Sequence, residues 1–308
     1  MLPISPHRVC PSLRQSSRRS SLPNPWSRLM LGFFVAYALW AYALSAGPAL
    51  AQTPPSANAH GYFGFDKDEY PGDDLLAGLH RSFAYTGYWL NNPPGESHNP
   101  WKGKRARIRA QGFGFLILFN GRLDAELKGK DAVALGRADA ATAVANARAE
   151  GFPAGAILFV DQEEGGRLLP EQAAYLSTWT EGVRHSPYKP GVYCSGIEVG
   201  AGADAISTAQ DILHRLKGSA PALWVANDQC PPSPGCTLPR QPSSPSAGGV
   251  PQALVWQYAL SPRRPQFTAQ CRATYAADGQ CYAPGLPHTA SSFVDFNLSR
   301  SADPSRGR

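Results

Sequence analysis

The stretch ILFVDQEEGG (residues 157–166) runs four apolar residues into Asp161, Gln162, Glu163 and Glu164, then two glycines. An apolar run of this length is a buried strand, so the acids stand where it ends. Asp161 and Glu163 are two apart, and on a strand such residues share one face, with Cα atoms about 6.6 Å apart. Two neighbouring carboxyl groups in partial burial raise the pKa of at least one, which is what a general acid at neutral pH requires. Gln162 is expected to point the other way and Glu164 to lie solvated in the loop. Gly165 and Gly166 let the chain turn away without covering the acids.

Other strand-like segments end in residues that suit the same chemistry. GYFGFD ends at Asp66, with Asp68 and Glu69 beyond, and FGFLILFN ends at Asn120. GVYCS carries Tyr193 and Ser195, and ALWVAND carries Trp224 and Asn227. ALVWQYA carries Trp256, Gln257 and Tyr258, and SSFVDFNLS carries Asp295 and Asn297. Carboxyl groups among aromatic and amide side chains suit a carbohydrate, whose C–H faces pack on rings and whose hydroxyls need partners. Glycoside hydrolysis uses two carboxyl groups, one protonated and one ionised. Each residue also has a plainer role open to it. A lone acid at a strand end commonly binds loop amides, the reading preferred for Asp68, Glu69, Asp73 and Asp74. Trp224 and Trp256 fit a core position as well as a sugar platform. The histidines form no pair at metal-ligand spacing, and no G-x-S-x-G marks a serine hydrolase. No metal or other cofactor is expected.

The elements that must position these residues alternate. Strands are predicted at 61–66, 82–90, 113–120, 156–163, 191–195, 222–228, 253–259 and 291–299, with helices at 104–112, 136–151, 170–185 and 204–218. Most strands are apolar without alternation, as strands covered on both faces are. Eight such units over about 240 residues predict a parallel (β/α)8 TIM-type barrel, whose site lies at the C-terminal strand ends. The last two connections are Cys-bearing loops, so the barrel is expected to be irregular there. An open doubly wound sheet is the rival; it usually has a Gly-rich turn after the first strand, where this chain has the acidic DKDEYPGDD.

Residues 1–28 hold five arginines and no acid, and an apolar run and Ala49-Leu50-Ala51 follow. This pattern predicts a signal peptide over 1–51, cleaved after Ala51, against the rival of an uncleaved anchor. Ser17-Arg18-Arg19 is a weak twin-arginine signal, so the general secretory route is preferred. A flexible lead-in is expected over 52–60, the domain over 61–298 and a disordered tail over 299–308. The leader carries five of the 29 basic residues and none of the 23 acidic ones, so the exported remainder is nearly neutral. Nothing in it suggests nucleic-acid binding or a stable membrane association after cleavage. In an exported chain, local disulfides Cys230–Cys236 and Cys271–Cys281 are expected, with zinc as a weaker alternative. Cys194 reads as a buried free thiol.

The ordered set GFD, VDQE, LWVAN, VWQYA and VDFN resembles the family-25 glycoside hydrolases, secreted barrel muramidases that cleave peptidoglycan. GRADAATAVANARAEGFPAGAILFVDQE is more similar still to the bacterial secreted glycoside-hydrolase-like domains formerly classed as a domain of unknown function (the DUF1906 type). The resemblance covers residues 61–298. It implies Glu163 as general acid, with Asp66, Asp161 and Asp295 positioning the attacking group, orienting the sugar or tuning Glu163. Tyr193 and Trp224 would line the groove. The implied function is hydrolysis of peptidoglycan or a related cell-wall glycan by an exported periplasmic or extracellular protein. The alternative is an inactive barrel that binds such a glycan or a protein partner. The segment TGYWLNNPPGESHNPWKG and the two Cys-bearing insertions depart from the muramidase pattern.

Overall fold

The computed structural model describes residues 61–267 and 271–308. The predicted signal peptide and lead-in lie outside the described residues. Eight strands close a barrel in sequence order: β1 (Tyr62–Asp66), β2 (Tyr85–Trp89), β3 (Gly114–Asn120), β4 (Ile157–Gln162), β5 (Lys189–Ser195), β6 (Ala222–Ala226), β7 (Ala253–Ala259) and β8 (Asp295–Ser299). All eight correspond to predicted strands.

Among the described residues the helices are α1 (Asp73–His80), α2 (Arg105–Ala110), α3 (Asp124–Leu127), α4 (Ala132–Ala149), α5 (Pro170–Arg184) and α6 (Thr208–Arg215). α1 and α3 lie where only loop was expected; α1 opens with Asp73 and Asp74, which suit the positive end of a helix. α5 starts with Pro170 at its first position, as predicted.

The fully parallel (β/α)8 expectation needs correcting at β8. β1 to β7 pair in parallel, but β8 runs antiparallel to both β7 and β1. A parallel strand needs a crossover that returns the chain to the far end of the barrel. Here the β7–β8 connection is the second Cys-bearing insertion, and its Leu260, Ser261 and Pro262 stay at the rim where β7 ends. β8 therefore starts at that rim and runs down, which sets Asp295 opposite Asp66 and Asn297 opposite Gly64.

The expected disulfides also need correcting. The bonds are Cys230–Cys271 and Cys236–Cys281, with Cα–Cα distances of 5.7 and 5.2 Å. Each joins the insertion after β6 to the insertion after β7. The two loops pack on each other, and the Cys236 amide also donates to Thr274 Oγ1 at 3.3 Å, so the nearest cysteine in space is on the other loop. Two disulfides fit an exported protein. Cys194 is the buried free thiol expected.

The C-terminal tail is ordered rather than disordered. Ser305 is fully buried. Its carbonyl accepts from Ile157 N, its amide donates to Phe115 O, and its hydroxyl accepts from Ile117 N. Asp303 accepts from Phe115 N at 2.9 Å. The tail thus plugs the N-terminal end of β3 and β4, satisfying amides that would otherwise be left unpaired.

Candidate active site

At the end of the barrel where β1–β7 finish and β8 begins lies a cavity of about 390 Å3, lined by five carboxyl groups: Asp66, Asp68, Asp161, Glu163 and Asp295. Trp89, Leu118, Tyr193, Trp224, Gln257 and the start of the β7–β8 insertion complete the wall. The alternation of strand side chains puts Asp66, Gln257 and Asn297 inside. Asp66 needs room to do so, and Gly87 on β2 provides it. A Cβ at that position would come within 2.7 Å of the Asp66 Cβ.

Asp66 is held by amide donors. Gln257 Nε2 donates to both of its oxygens at 3.0 and 3.1 Å, and Asn297 Nδ2 donates to Oδ1 at 2.5 Å. Gln257 Nε2 also reaches Asp295 Oδ2 at 3.2 Å, and Tyr193 OH donates to Gln257 Oε1 at 2.6 Å. Trp224 Nε1 donates to Asn297 Oδ1 at 2.8 Å. The tyrosine and the tryptophan thereby fix which way both amides face, and each amide turns its NH2 group to Asp66.

Burial raises the Asp66 carboxyl to about 7, against the lowering effect of its Asn297 and Gln257 hydrogen bonds. Asp295 is pushed well above the carboxylate range by burial and by the charge of Asp66, although Ser261 N donates to it at 2.6 Å. Asp68 is raised to about 6 by burial and by the charges of Glu69 and Glu163. Asp161 is driven well above the ordinary range by burial and by the neighbouring Glu163 carboxyl group. Asp161 is 5 % exposed whereas Glu163 is open to solvent. The member of the β4 pair pushed toward its protonated form is therefore the buried one, and the exposed carboxyl group stands beside it.

Of the predicted site residues, Asp66, Asp161, Glu163, Asp295, Tyr193, Trp224 and Gln257 line this cavity, and Asn297 stands directly behind Asp66. Trp224 is fully buried, which makes it floor rather than an open platform. Three others are elsewhere. Trp256 and Tyr258 point away from the barrel axis: Trp256 Nε1 donates to Asn227 O and Tyr258 OH to Thr237 O, inside the packing beneath the first insertion. The alternation that puts Gln257 inside necessarily puts its neighbours outside. Asn120 lines a separate pocket with Asn91, Asn92 and Arg122, and its Nδ2 donates to Asn92 O at 3.0 Å.

Glu164 is not solvated either. It accepts from Asp124 N, Gln162 Nε2 and Gln172 Nε2 at 2.7, 3.2 and 2.8 Å, tying the end of β4 to α3 and α5. The sequence reading undervalued Asp68, and it missed Trp89, Ser261 and Arg264 in the cavity wall. Asp68 follows Asp66 at the i+2 spacing that singled out Asp161 and Glu163, so the same signal was present there. Trp89 sits at a strand end, which was the usable signal for it. Ser261 and Arg264 lie in an insertion and carried none. Among the described residues no cluster of His, Cys, Asp and Glu is arranged to hold a metal ion.

The sequence model of the Rv2525c-like, glycoside hydrolase-like domain matches residues 80–236, half of the chain. The chain belongs to this family. Within the matched span lie Asp161, Glu163, Tyr193 and Trp224; Asp66 and Asp295 stand outside it.

Solved structures are similar to this Rv2525c-like domain. An uncharacterized B. stearothermophilus protein is 23 % identical, with a TM-score of 0.50 over 78 % of this chain and 96 % of its own, and this likeness shows the fold. The Mycobacterium tuberculosis Tat-secreted protein Rv2525c is 13 % identical, with a TM-score of 0.46 over 82 % of this chain and 98 % of its own. The Clostridium perfringens spore cortex lytic enzyme SleM is 13 % identical, with a TM-score of 0.46 over 80 % of this chain and 70 % of its own. No curated protein matches the chain.

Proposed function

We propose that this glycoside hydrolase-like domain cleaves peptidoglycan or a related cell-wall glycan, with Glu163 as general acid. The observation that carries the reading is the contrast between the two sets of carboxyl groups. The exposed Glu163 stands beside the buried Asp161, which is pushed toward its protonated form, while at Asp66 the amide donors Asn297 and Gln257 oppose the burial that raises it to about 7. One protonated and one ionised carboxyl group in a single cavity is the requirement for glycoside hydrolysis.

In this reading Glu163 delivers the proton to the glycosidic oxygen. Asp161 is the buried, neutral neighbour against which Glu163 is placed. Asp66 polarises the attacking group, and Asp295, raised above its usual range, acts as a hydrogen-bond donor to the sugar or to Asp66. Tyr193 and Trp224 contribute by holding Gln257 and Asn297, and no cofactor is required. The resemblance to muramidases supports the choice of glycan. The basic, apolar leader pattern supports export with cleavage after Ala51, which N-terminal sequencing of the secreted protein checks by finding Gln52 first.

Turbidity and zymogram assays on purified cell walls test the enzyme reading. Clearing by the wild type and none by Glu163→Gln is the expected result. If the wild type is as inert as Glu163→Gln and Asp161→Asn while all three still bind the glycan, the chain is a binding barrel and the catalytic assignment fails.

A further inference from the structure

Arg264 is the one cation among the described residues lining the acidic cavity. It belongs to the insertion after β7, whose Leu260, Ser261 and Pro262 form the same wall. Its Nε lies 3.5 Å from Asp228 Oδ2, on the loop leaving β6. Asp228 is 3 % exposed, and its other carboxyl oxygen has no hydrogen-bond partner. Burial raises the Asp228 pKa, and Arg264 opposes that rise. A buried carboxylate with one cation beside it constrains where that cation can sit.

Two features hold this arrangement from behind. Cys230, two residues after Asp228, is bonded to Cys271, seven residues after Arg264, and Cys236 is bonded to Cys281. Arg263, next in sequence, donates its amide to Gly279 O at 2.7 Å and stacks its guanidinium over the Tyr275 ring at 5.4 Å. The segment carrying Arg264 is therefore tied down on both sides.

An arginine whose charge served only the fold would be expected on the outer surface of the insertion, away from the cavity. This one is about one-third exposed at the cavity wall. The ion pair engages Nε, and a planar carboxylate is bound best by a guanidinium fork that uses the terminal nitrogens. An anion entering among five carboxyl groups is repelled except at this point, so Arg264 fixes one position and one register for it.

We propose that Arg264, presented by the disulfide-linked insertions, is a specificity-determining residue that binds a carboxylate carried by the glycan. This rests on the cavity being a glycan site and adds the class of sugar: an acidic one rather than a neutral amino-sugar chain. The carboxylate is either a lactyl group on the sugar ring or an acid of an attached peptide.

Binding is measured by calorimetry on the Glu163→Gln chain, so that no ligand is consumed. Three ligands of equal length are compared: denuded peptidoglycan strands with free lactyl carboxylates, strands bearing stem peptides, and neutral chitin oligosaccharides. One carboxylate-bearing strand is expected to bind about tenfold or more tighter than chitin, as a charged hydrogen-bonded contact implies. Which strand it is identifies the source of the carboxylate. Arg264→Lys keeps a cation beside Asp228 but loses the fork, and is expected to abolish the preference while leaving chitin affinity unchanged. Equal wild-type affinity for all three ligands overturns the proposal and leaves the glycan site standing. Equal losses on acidic and neutral ligands in Arg264→Lys assign the residue to the fold alone. If no ligand binds at all, the glycan reading of the cavity fails, and this proposal with it.

Discussion

Asp161 and Glu163 stand two residues apart at the end of β4, one buried and one open to solvent, and burial and the charge of Glu163 push Asp161 well above the carboxylate range. The buried partner does not easily ionise, and the exposed partner is the one a substrate can reach. Glu163→Gln is expected to lower kcat about 10^2- to 10^4-fold, the usual contribution of a general acid. Asp161→Asn leaves Glu163 in place and is expected to cost less. Steady-state kinetics across pH on a soluble glycan checks both outcomes.

The same burial makes stability depend on pH in a definite direction. Asp66 titrates near 7 and Asp68 near 6, and Asp161 and Asp295 lie well above the usual range, all chiefly through burial. In the unfolded chain these groups ionise around pH 4. Between that pH and the folded values the folded protein holds more protons, so stability falls as pH rises through about 4 to 7. Glu69 works the other way: although burial pushes it up, Lys67 at 2.7 Å holds it low. Asp73 and Asp278, lowered by the hydrogen bonds of Tyr70 and Tyr282, and His80, lowered by burial, act in the same direction as Glu69, while the raised Asp228 adds to the four groups in the cavity, which are the most buried. Unfolding in urea should give a stability at pH 5 above that at pH 8 by on the order of 3 kcal/mol. Asp66→Asn should flatten the slope, and a wild type more stable at pH 8 than at pH 5 would refute the assignment.

The disulfide pairing is directly testable. Peptide mapping without reductant should yield Cys230 linked to Cys271 and Cys236 linked to Cys281. Each bond closes a loop of more than 40 residues, and by chain entropy such a cross-link contributes about 4 kcal/mol. The two loops overlap, so the second bond adds less than the first. A Cys236→Ser/Cys281→Ser variant is expected to lose about 2–4 kcal/mol by urea unfolding. Recovery of Cys230–Cys236 and Cys271–Cys281 peptides would instead restore the local pairing.

Much of this site was legible because barrel strands buried on both faces are continuous apolar runs, and polar residues stand out where they stop. That rule located Asp66, Asp161, Glu163, Gln257, Asp295 and Asn297. It failed for Trp256 and Tyr258 because residues flanking an inward Gln257 face outward, a consequence of strand alternation that a motif read as one unit conceals. It failed for Glu164 because a short loop can return a side chain to helix ends, here Asp124 N and Gln172. The direction of β8 was not legible, since neither of the last two connections has a predicted helix and yet β7 runs parallel to β6 while β8 runs antiparallel. The cysteine pairing did not follow from spacing, since the insertions meet only once the barrel has brought β6 and β7 side by side. Arg264 gave no local signal at all: its place depends on a buried acid 36 positions earlier and on both disulfides.

The C-terminal tail gives a final test of how the barrel is closed. Its sequence, SADPSRGR, has almost no apolar content and reads as loose. What holds it is hydrogen bonding to strand amides, by side chains as well as backbone. Phe115 N, Ile117 N and Ile157 N donate to Asp303, Ser305 Oγ and Ser305 O. Arg105 Nη2 reaches Gly307 O at 2.8 Å. Gly114 lies so close under the tail that a Cβ would meet Ala302 O at 2.0 Å. Removing residues 300–308 uncovers three strand amides and the rings of Phe115 and Phe152 beside Gly307. Water can reach those amides once the tail is gone, so the loss is below the full cost of buried unpaired groups. A decrease of about 3 kcal/mol in unfolding free energy is expected, with the single change Ser305→Ala costing about 1. The acidic cavity lies at the opposite end of the strands, so kcat/KM at low temperature should be unaffected by the truncation. A truncated chain as stable as the full one would mean that the tail only rests on the barrel.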